Sequence, residues 1–307
     1  MHRVIQGMFA FILVCLTGGM SEAWAQSPIQ PYVLAYTAQG DLSAEAEKVK
    51  SKLVAAGFAV LGAYSPYSDA WVAGVTNDAM KQAAAKDPLG AFAAVEHVAI
   101  TKVGGALQVT YLNPEYMAAA YQLTSNYADV LAAMQKALGA QQMFGTKEGR
   151  TPDQLREYHY MLGMEYFKDV YKLGHHNSYE DAVKTVDANL RKGVGGAALV
   201  YRLEIPGRQQ TLFGVSRANV TDQRANDRHI MQETVDQMFQ IKTTAYLPYD
   251  MLVNGQDVVA LHMRFRMAVW HPDLTMGTFG KLITSPGAIE ELLTQIAGGK
   301  KQNESLY

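Results

Sequence analysis

The chain has almost no cysteine, no surplus of either charge and no apolar run long enough to cross a bilayer. Its single cysteine among 307 residues, Cys15, lies in a short apolar stretch near the start. One thiol supports neither a disulfide framework nor a Cys-x-x-Cys redox or zinc motif. Twenty-seven Lys and Arg face 29 Asp and Glu, a net charge of −2. That balance lacks the basic footprint of a protein that grips nucleic acid or an anionic membrane surface. No later segment approaches the roughly 20 apolar residues of a spanning helix.

Enzyme signatures are missing as well. Gly193-Val194-Gly195-Gly196-Ala197-Ala198 spells G-x-G-x-x-A, but an apolar-periodic helix precedes it and a strand pattern follows. A dinucleotide fingerprint needs the reverse order, so that a helix N-terminus meets the pyrophosphate. Gly280-Lys281 has no glycine five residues earlier, and Leu282 stands where a phosphate loop needs Ser or Thr. There is no H-E-x-x-H, no G-x-S-x-G and no cysteine nucleophile. No motif argues for catalysis, and no cofactor is indicated.

What is present begins with a leader. His2 and Arg3 precede an apolar run from Met8 to Leu16, and Ala23-Trp24-Ala25 follows before Gln26. A basic head, an apolar stretch of about 7–15 residues and an A-x-A site make a cleaved secretory signal over 1–25. The expectation is export, to the periplasm if the source is a diderm bacterium, with no stable membrane insertion after cleavage. From Gln26 onward there is no cysteine, so the core must hold the fold without disulfides.

The rest reads as one unit written twice. Asn113-Pro114-Glu115 follows the alternating run Leu107–Tyr111, and His271-Pro272-Asp273 follows a longer one, Leu261–Val269. Thr124-Ser125 and Thr284-Ser285 each open an apolar-periodic segment that stops at a glycine, Gly139 or Gly298, which are helix start and stop signals. Upstream, Ala46, Val49, Leu53 and Ala56 form one helical stripe, and Val183, Val186 and Leu190 another behind Ser178 and Asp181. Each helix is followed by two strand patterns (58–64 and 70–76; 197–205 and 211–216) and a short helical piece (78–85; 227–238). Hairpin turns then fall at Gly104-Gly105 and Asn254-Gly255. The expected fold class is α+β: two tandem β-α-β4-α units, antiparallel sheets each covered by helices on one face. The expected division is 30–140 for the first unit, 141–170 for a helical linker begun by Thr151 and Pro152, 171–299 for the second unit, and 300–307 for a flexible tail.

Three constellations could carry chemistry. In the linker, Glu157-Tyr158-His159-Tyr160-Met161-Leu162-Gly163-Met164, a helix would place Met161 and Met164 on one face. Two thioethers near an imidazole suit Cu(I), but His159 would point away unless the helix broke; plain packing is the alternative. His175-His176 lies before the Ser178 cap and reads as a solvated turn. The third is the long strand 261–269. With a period of two, Leu261, Met263, Phe265, Met267 and Val269 face the core, and His262, Arg264 and Arg266 face outward. Such a stripe can hold a carboxylate or phosphate, or simply pair with surface acids. Aligning Pro114 with Pro272 puts Gly104, Ala106 and Gln108 at the equivalent positions of the first copy.

The segments Tyr158-His159-Tyr160-Met161, Leu247-Pro248-Tyr249-Asp250, Arg264-Phe265-Arg266 and Pro272-Asp273-Leu274 are similar to those of exported two-copy proteins carrying domain of unknown function 302. Thr76-Asn77 and Tyr111-Leu112-Asn113-Pro114 add to the similarity. The resemblance covers about Tyr32 to Gly298. It implies a TATA-binding-protein-like β-α-β4-α arrangement, and it brings no reaction, cofactor or catalytic residue. The expected function is a non-catalytic binding module for a small ligand, an anion among the candidates, with His262, Arg264, Arg266, Tyr158 and His159 as ligand-binding residues. The alternatives are copper handling through His159, Met161 and Met164, and a hydrolase or lyase using the His and Arg groups.

Overall fold

The computed structural model describes residues 27–299; the leader 1–25, Cys15 and the tail 300–307 lie outside the described residues. In chain order the first half contains β1 (Tyr32–Gln39), α1 (Leu42–Ala55), β2 (Ala59–Tyr64), β3 (Ala70–Thr76), α2 (Asp78–Ala84), β4 (Glu96–Val103), β5 (Ala106–Leu112), α3 (Pro114–Ala120), α4 (Ala128–Leu138) and β6 (Gln142–Phe144). The short α5 (Pro152–Arg156) and an irregular loop connect it to the second half. There β7 (Val170–His175), α6 (Tyr179–Arg191), β8 (Ala198–Glu204), β9 (Gln210–Ser216) and α7 (Asp227–Ile230) precede β10 (Tyr249–Asn254), β11 (Asp257–Leu261), α8 (Met263–Trp270), α9 (Met276–Lys281) and α10 (Ser285–Ile296). The protein is α+β. Its two antiparallel sheets have the orders β2-β3-β4-β5-β1-β6 and β7-β11-β10-β9-β8. Apart from β6, the second order is the first one met again in the second half. Among the described residues no helix is long and apolar enough to cross a membrane.

Local chemistry explains most of these elements. The β3 segment, Ala-Trp-Val-Ala-Gly-Val-Thr, is buried along its whole length, which suits a strand covered on both faces. In α6, Ala182, Val183, Val186 and Leu190 form the buried stripe, and the Ser178 hydroxyl accepts from Asp181 N–H as the N-cap. Thr151 and Gln154 close a reciprocal capping box at α5, with Pro152 in the first turn. The helices α1 and α4 lie on the first sheet, and α6 and α10 on the second.

The other faces of the two sheets meet. Strand β2 lies against β8 so closely that a Cβ at Gly62 would sit 1.8 Å from the Val200 carbonyl oxygen. Tyr201 inserts its ring between the sheets, and a Cβ at Gly74 or at Gly214 would stand 2.5 Å from that ring. Only glycine leaves room there. The short turn 90–93 of the first half packs on β9 and β10, and the turn 244–246 of the second packs on β3, β4 and β5. Each half thus completes its neighbour's core.

The long strand read over 261–269 is not one. β11 ends at Leu261, His262 caps the next element with its ring nitrogen, and α8 runs from Met263 to Trp270. All residues of α8 except Arg264 are buried, so the apolar alternation fits a strand and an enclosed helix equally well. The first half has the same step: β5 ends at Leu112, and Asn113 caps α3. Leu112 pairs with Tyr32 and Leu261 with Val170, each at the start of its half's first strand. The counterpart of His262 is therefore Asn113, Pro114 corresponds to Met263, and the alignment of Pro114 with Pro272 skips the whole of α8. The linker helix is also shorter than expected. It stops at Arg156, so 157–164 is irregular and Met161 and Met164 share no helical face.

Candidate functional site

Loop 157–169, the first residues of β7, the start of α8, α9 and the start of α10 surround an open cleft of about 1020 Å³. Five methionines line it: Met161, Met164, Met263, Met267 and Met276. Met263 and Met267 are fixed on the buried face of α8, while Met161 and Met276 are 50% and 64% exposed at the mouth. Tyr160 spans α9, its ring 5.0 Å from that of Phe279 and its hydroxyl 3.3 Å from the Met276 sulfur. Ile283, 78% exposed, extends the apolar part of the mouth. Thioethers on flexible stems make such a wall adaptable.

Three polar side chains meet beside the methionines, and Lys168, Asp169, Lys172 and Glu290 line the cleft as well. Glu165 Oε1 accepts from the Arg264 guanidinium and lies 3.2 Å from His262 Nε2. The His262 ring packs on that of Tyr171, tilted by 36° with centroids 4.1 Å apart, and its Nδ1 accepts the Arg264 backbone N–H at 3.3 Å. A neutral ring with Nδ1 as acceptor carries its proton on Nε2, facing Glu165. Burial lowers the His262 pKa to about 4, with Arg264 adding to the effect and Glu165 opposing it. The imidazole is therefore neutral near pH 7, and no ring lone pair is left to serve a substrate as base. The other carboxylate oxygen, Glu165 Oε2, is buried and has no hydrogen-bond partner among the described residues. A buried acceptor without a donor costs about 1–3 kcal/mol.

The sequence-derived residues divide. His262, Arg264, Met161 and Met164 line the same cleft. Arg266 does not. One turn of helix separates residues differently from a strand, so Arg266 turns inward and is 2% exposed. Its guanidinium donates to the Tyr246 and Pro248 carbonyls and lies 4.1 and 4.7 Å from the ring centres of Tyr246 and Tyr249. His262, Arg264 and Arg266 therefore do not share one face. Tyr158 is core: its hydroxyl donates to the Ala268 carbonyl at 2.9 Å, and its ring meets Phe265 edge-on. His159 contacts the Met161 carbonyl through Nδ1 at 3.0 Å and Tyr166 through its ring, and it is not part of the cleft lining. His175 pairs with Asp257 at 2.7 Å, and His176 reaches the Ala297 carbonyl at 2.9 Å. Among the described residues no group of three or more His, Cys, Asp or Glu could hold a metal ion.

Sequence reasoning missed Glu165, which lies 99 positions from Arg264 in a segment with no period. It also missed a polar layer between the sheets. The Tyr201 hydroxyl donates to Asp250 Oδ1 and accepts from His97 Nε2 at 2.8 Å. Burial lowers the His97 pKa to about 3, helped by Arg266, and raises that of Asp250 to about 6. Nearby, Arg217 and Asp227, both without exposed side-chain surface, pair at 2.8 Å, and Tyr64 donates to Asp227 Oδ2 at 2.9 Å. This layer is closed and joins the halves; the cleft is open. Comparison of the chain with protein-family models, with curated proteins and with solved structures found no match.

Proposed function

We propose that the protein is an exported binding protein that holds a small amphipathic ligand in the methionine-lined cleft without transforming it. One observation carries this reading: Glu165 Oε2 is a buried acceptor without a donor beneath an apolar mouth. A ligand with an apolar body and a donor group, an amine, amide or hydroxyl, would satisfy it. An anion fits less well, because the Arg264 charge is already matched by Glu165. Committed ring nitrogens on His262 favour binding over hydrolysis or elimination. Export rests on the leader pattern. Kinship with the domain-of-unknown-function 302 proteins, and duplication, rest on the quoted segments and on the matching strand orders.

Hexylamine, hexanol and hexanoate test the reading, since a bound ligand raises the midpoint of thermal unfolding. The amine is expected to stabilise most and the carboxylate least, and Glu165→Gln to abolish the ranking. Preference for hexanoate, or no shift with any of the three, refutes it. The five thioethers in one cleft support a second reading, Cu(I) handling through the thioethers without an imidazole, because both ring nitrogens of His262 are engaged. Competition with bicinchoninate for Cu(I) decides it; no transfer of metal to the protein ends it.

A further inference from the structure

We infer that the cleft takes an extended peptide segment, which joins the second sheet as a sixth strand along the outer edge of β7. This rests on the ligand-binding reading of the cleft and names its ligand class. The first half supplies the comparison. There β1 is flanked by β5 on one side and by β6 on the other, with Tyr32, Val33 and Leu34 opposite Phe144, Met143 and Gln142. In the second half β7 pairs with β11 and is the sheet edge among the described residues. The two first strands match residue for residue. Tyr32 pairs with the residue before the Asn113 cap, Val170 with the residue before the His262 cap, and both registers shift after the third position, at Leu34 and at Lys172. The residues equivalent to 32–34 are Val170, Tyr171 and Lys172, and all three line the cleft.

The chain also approaches both edges in the same way. After α4 a Cβ at Gly139 would sit 3.2 Å from the Ala35 carbonyl oxygen, and Gln141 N–H then donates to the Leu34 carbonyl at 2.8 Å. After α10 a Cβ at Gly299 would sit 2.0 Å from the carbonyl oxygen of Leu173, the counterpart of Ala35. In the first half the strand that follows brings apolar Met143 and Phe144, and Phe144 stacks on Tyr32 at 5.5 Å. In the second half the chain continues with Lys300-Lys301-Gln302-Asn303-Glu304, residues of low strand propensity that bring no apolar side chain to the wall of five methionines. A separate peptide with apolar side chains suits that wall. Its main chain would bond the outward amide and carbonyl of Lys172, and a further N–H would reach Glu165 Oε2.

The probe is a fluorescein-labelled peptide of residues 140–146, Ala-Gln-Gln-Met-Phe-Gly-Thr, titrated by anisotropy against the protein from residue 26. Saturable binding is expected, weakened at least about tenfold when the Gln142 and Phe144 amides of the peptide are N-methylated, the loss of roughly 1.4 kcal/mol of main-chain hydrogen bonding. Hydrogen exchange at the Lys172 amide should slow on binding. Affinity indifferent to N-methylation means side-chain adhesion without strand pairing and overturns the inference. So does binding only to a chain ending at Gly299, which assigns the edge to residues 300–307. If the peptide fails while hexylamine still stabilises, strand addition is wrong and the small-ligand reading stands.

Discussion

His97 can be made to report whether the layer between the sheets is closed to protons. The residue is 2% exposed, and its Nε2 is committed to Tyr201. Its pKa falls from 6.5 to about 3 on folding, first through burial and then through the nearby Arg266 charge. A depressed imidazole pKa means that the unfolded chain binds the proton more readily. The stabilising contribution is complete above pH 6.5 and is lost as pH falls toward 3, by about 1.4 kcal/mol per unit. From pH 7 to pH 5 that amounts to about 2 kcal/mol. The whole-protein profile does not isolate this, because burial raises the pKa of Glu96, Asp236 and Asp250, and acid relieves them. The difference between wild type and His97→Gln does. Glutamine does not titrate, so the variant, less stable at pH 7, should recover about 2 kcal/mol relative to wild type by pH 5. Urea unfolding followed by fluorescence of Trp71 and Trp270 at both pH values measures it. A gap that stays constant between pH 7 and pH 5 refutes the claim that folding keeps His97 neutral.

Three further substitutions probe other parts of the argument. Gly74→Ala should destabilise by about 1–3 kcal/mol in urea unfolding, because the new methyl group meets the Tyr201 ring between two buried sheets. Asp227→Asn should cost about 3–5 kcal/mol by the same measurement, since it leaves the Arg217 charge buried without its counter-ion. His262→Asn gives α8 the cap that α3 already has; stability should change by about 0.5 kcal/mol or less, while ligand-induced stabilisation falls because Glu165 loses its neighbour.

Much of the fold can be read before any coordinate is seen, and the failures share a cause. Period two or 3.6 is visible where one face is wet, as in α1 and α6, and glycine or Asn-Gly marks the hairpins at 104–105 and 254–255. Periodicity stops discriminating where an element is enclosed. In α8 only Arg264 is exposed, so Met-x-Phe-x-Met-x-Val passes for a strand. Arg266 deepens the error, because a buried guanidinium resting on two tyrosine rings looks like a solvent-facing residue in the sequence. The site shows the same limit. His262 and Arg264 could be singled out as charged neighbours, but Glu165 comes from an irregular loop, and no local pattern announces which distant cap a loop will cover.

The two halves share strand order, the bulge in the first strand and the strand-to-helix step, so their differences are informative. At the step, Asn113 is fully buried and its amide donates to the Gln30 carbonyl; His262, in the same place, faces a cleft and a carboxylate. In the second strand Gly62, opposite Gly74, corresponds to Tyr201, opposite Gly214, and that tyrosine fills the space both glycines leave. At the sheet edge β6 covers β1, while β7 borders the cleft. Each difference removes bulk or closes an edge in the first half and adds a polar group or opens an edge in the second. Among the described residues β7 stays uncovered beside a buried carboxylate oxygen that no donor reaches. On the proposed binding role, the first half is the support and the second carries the cleft.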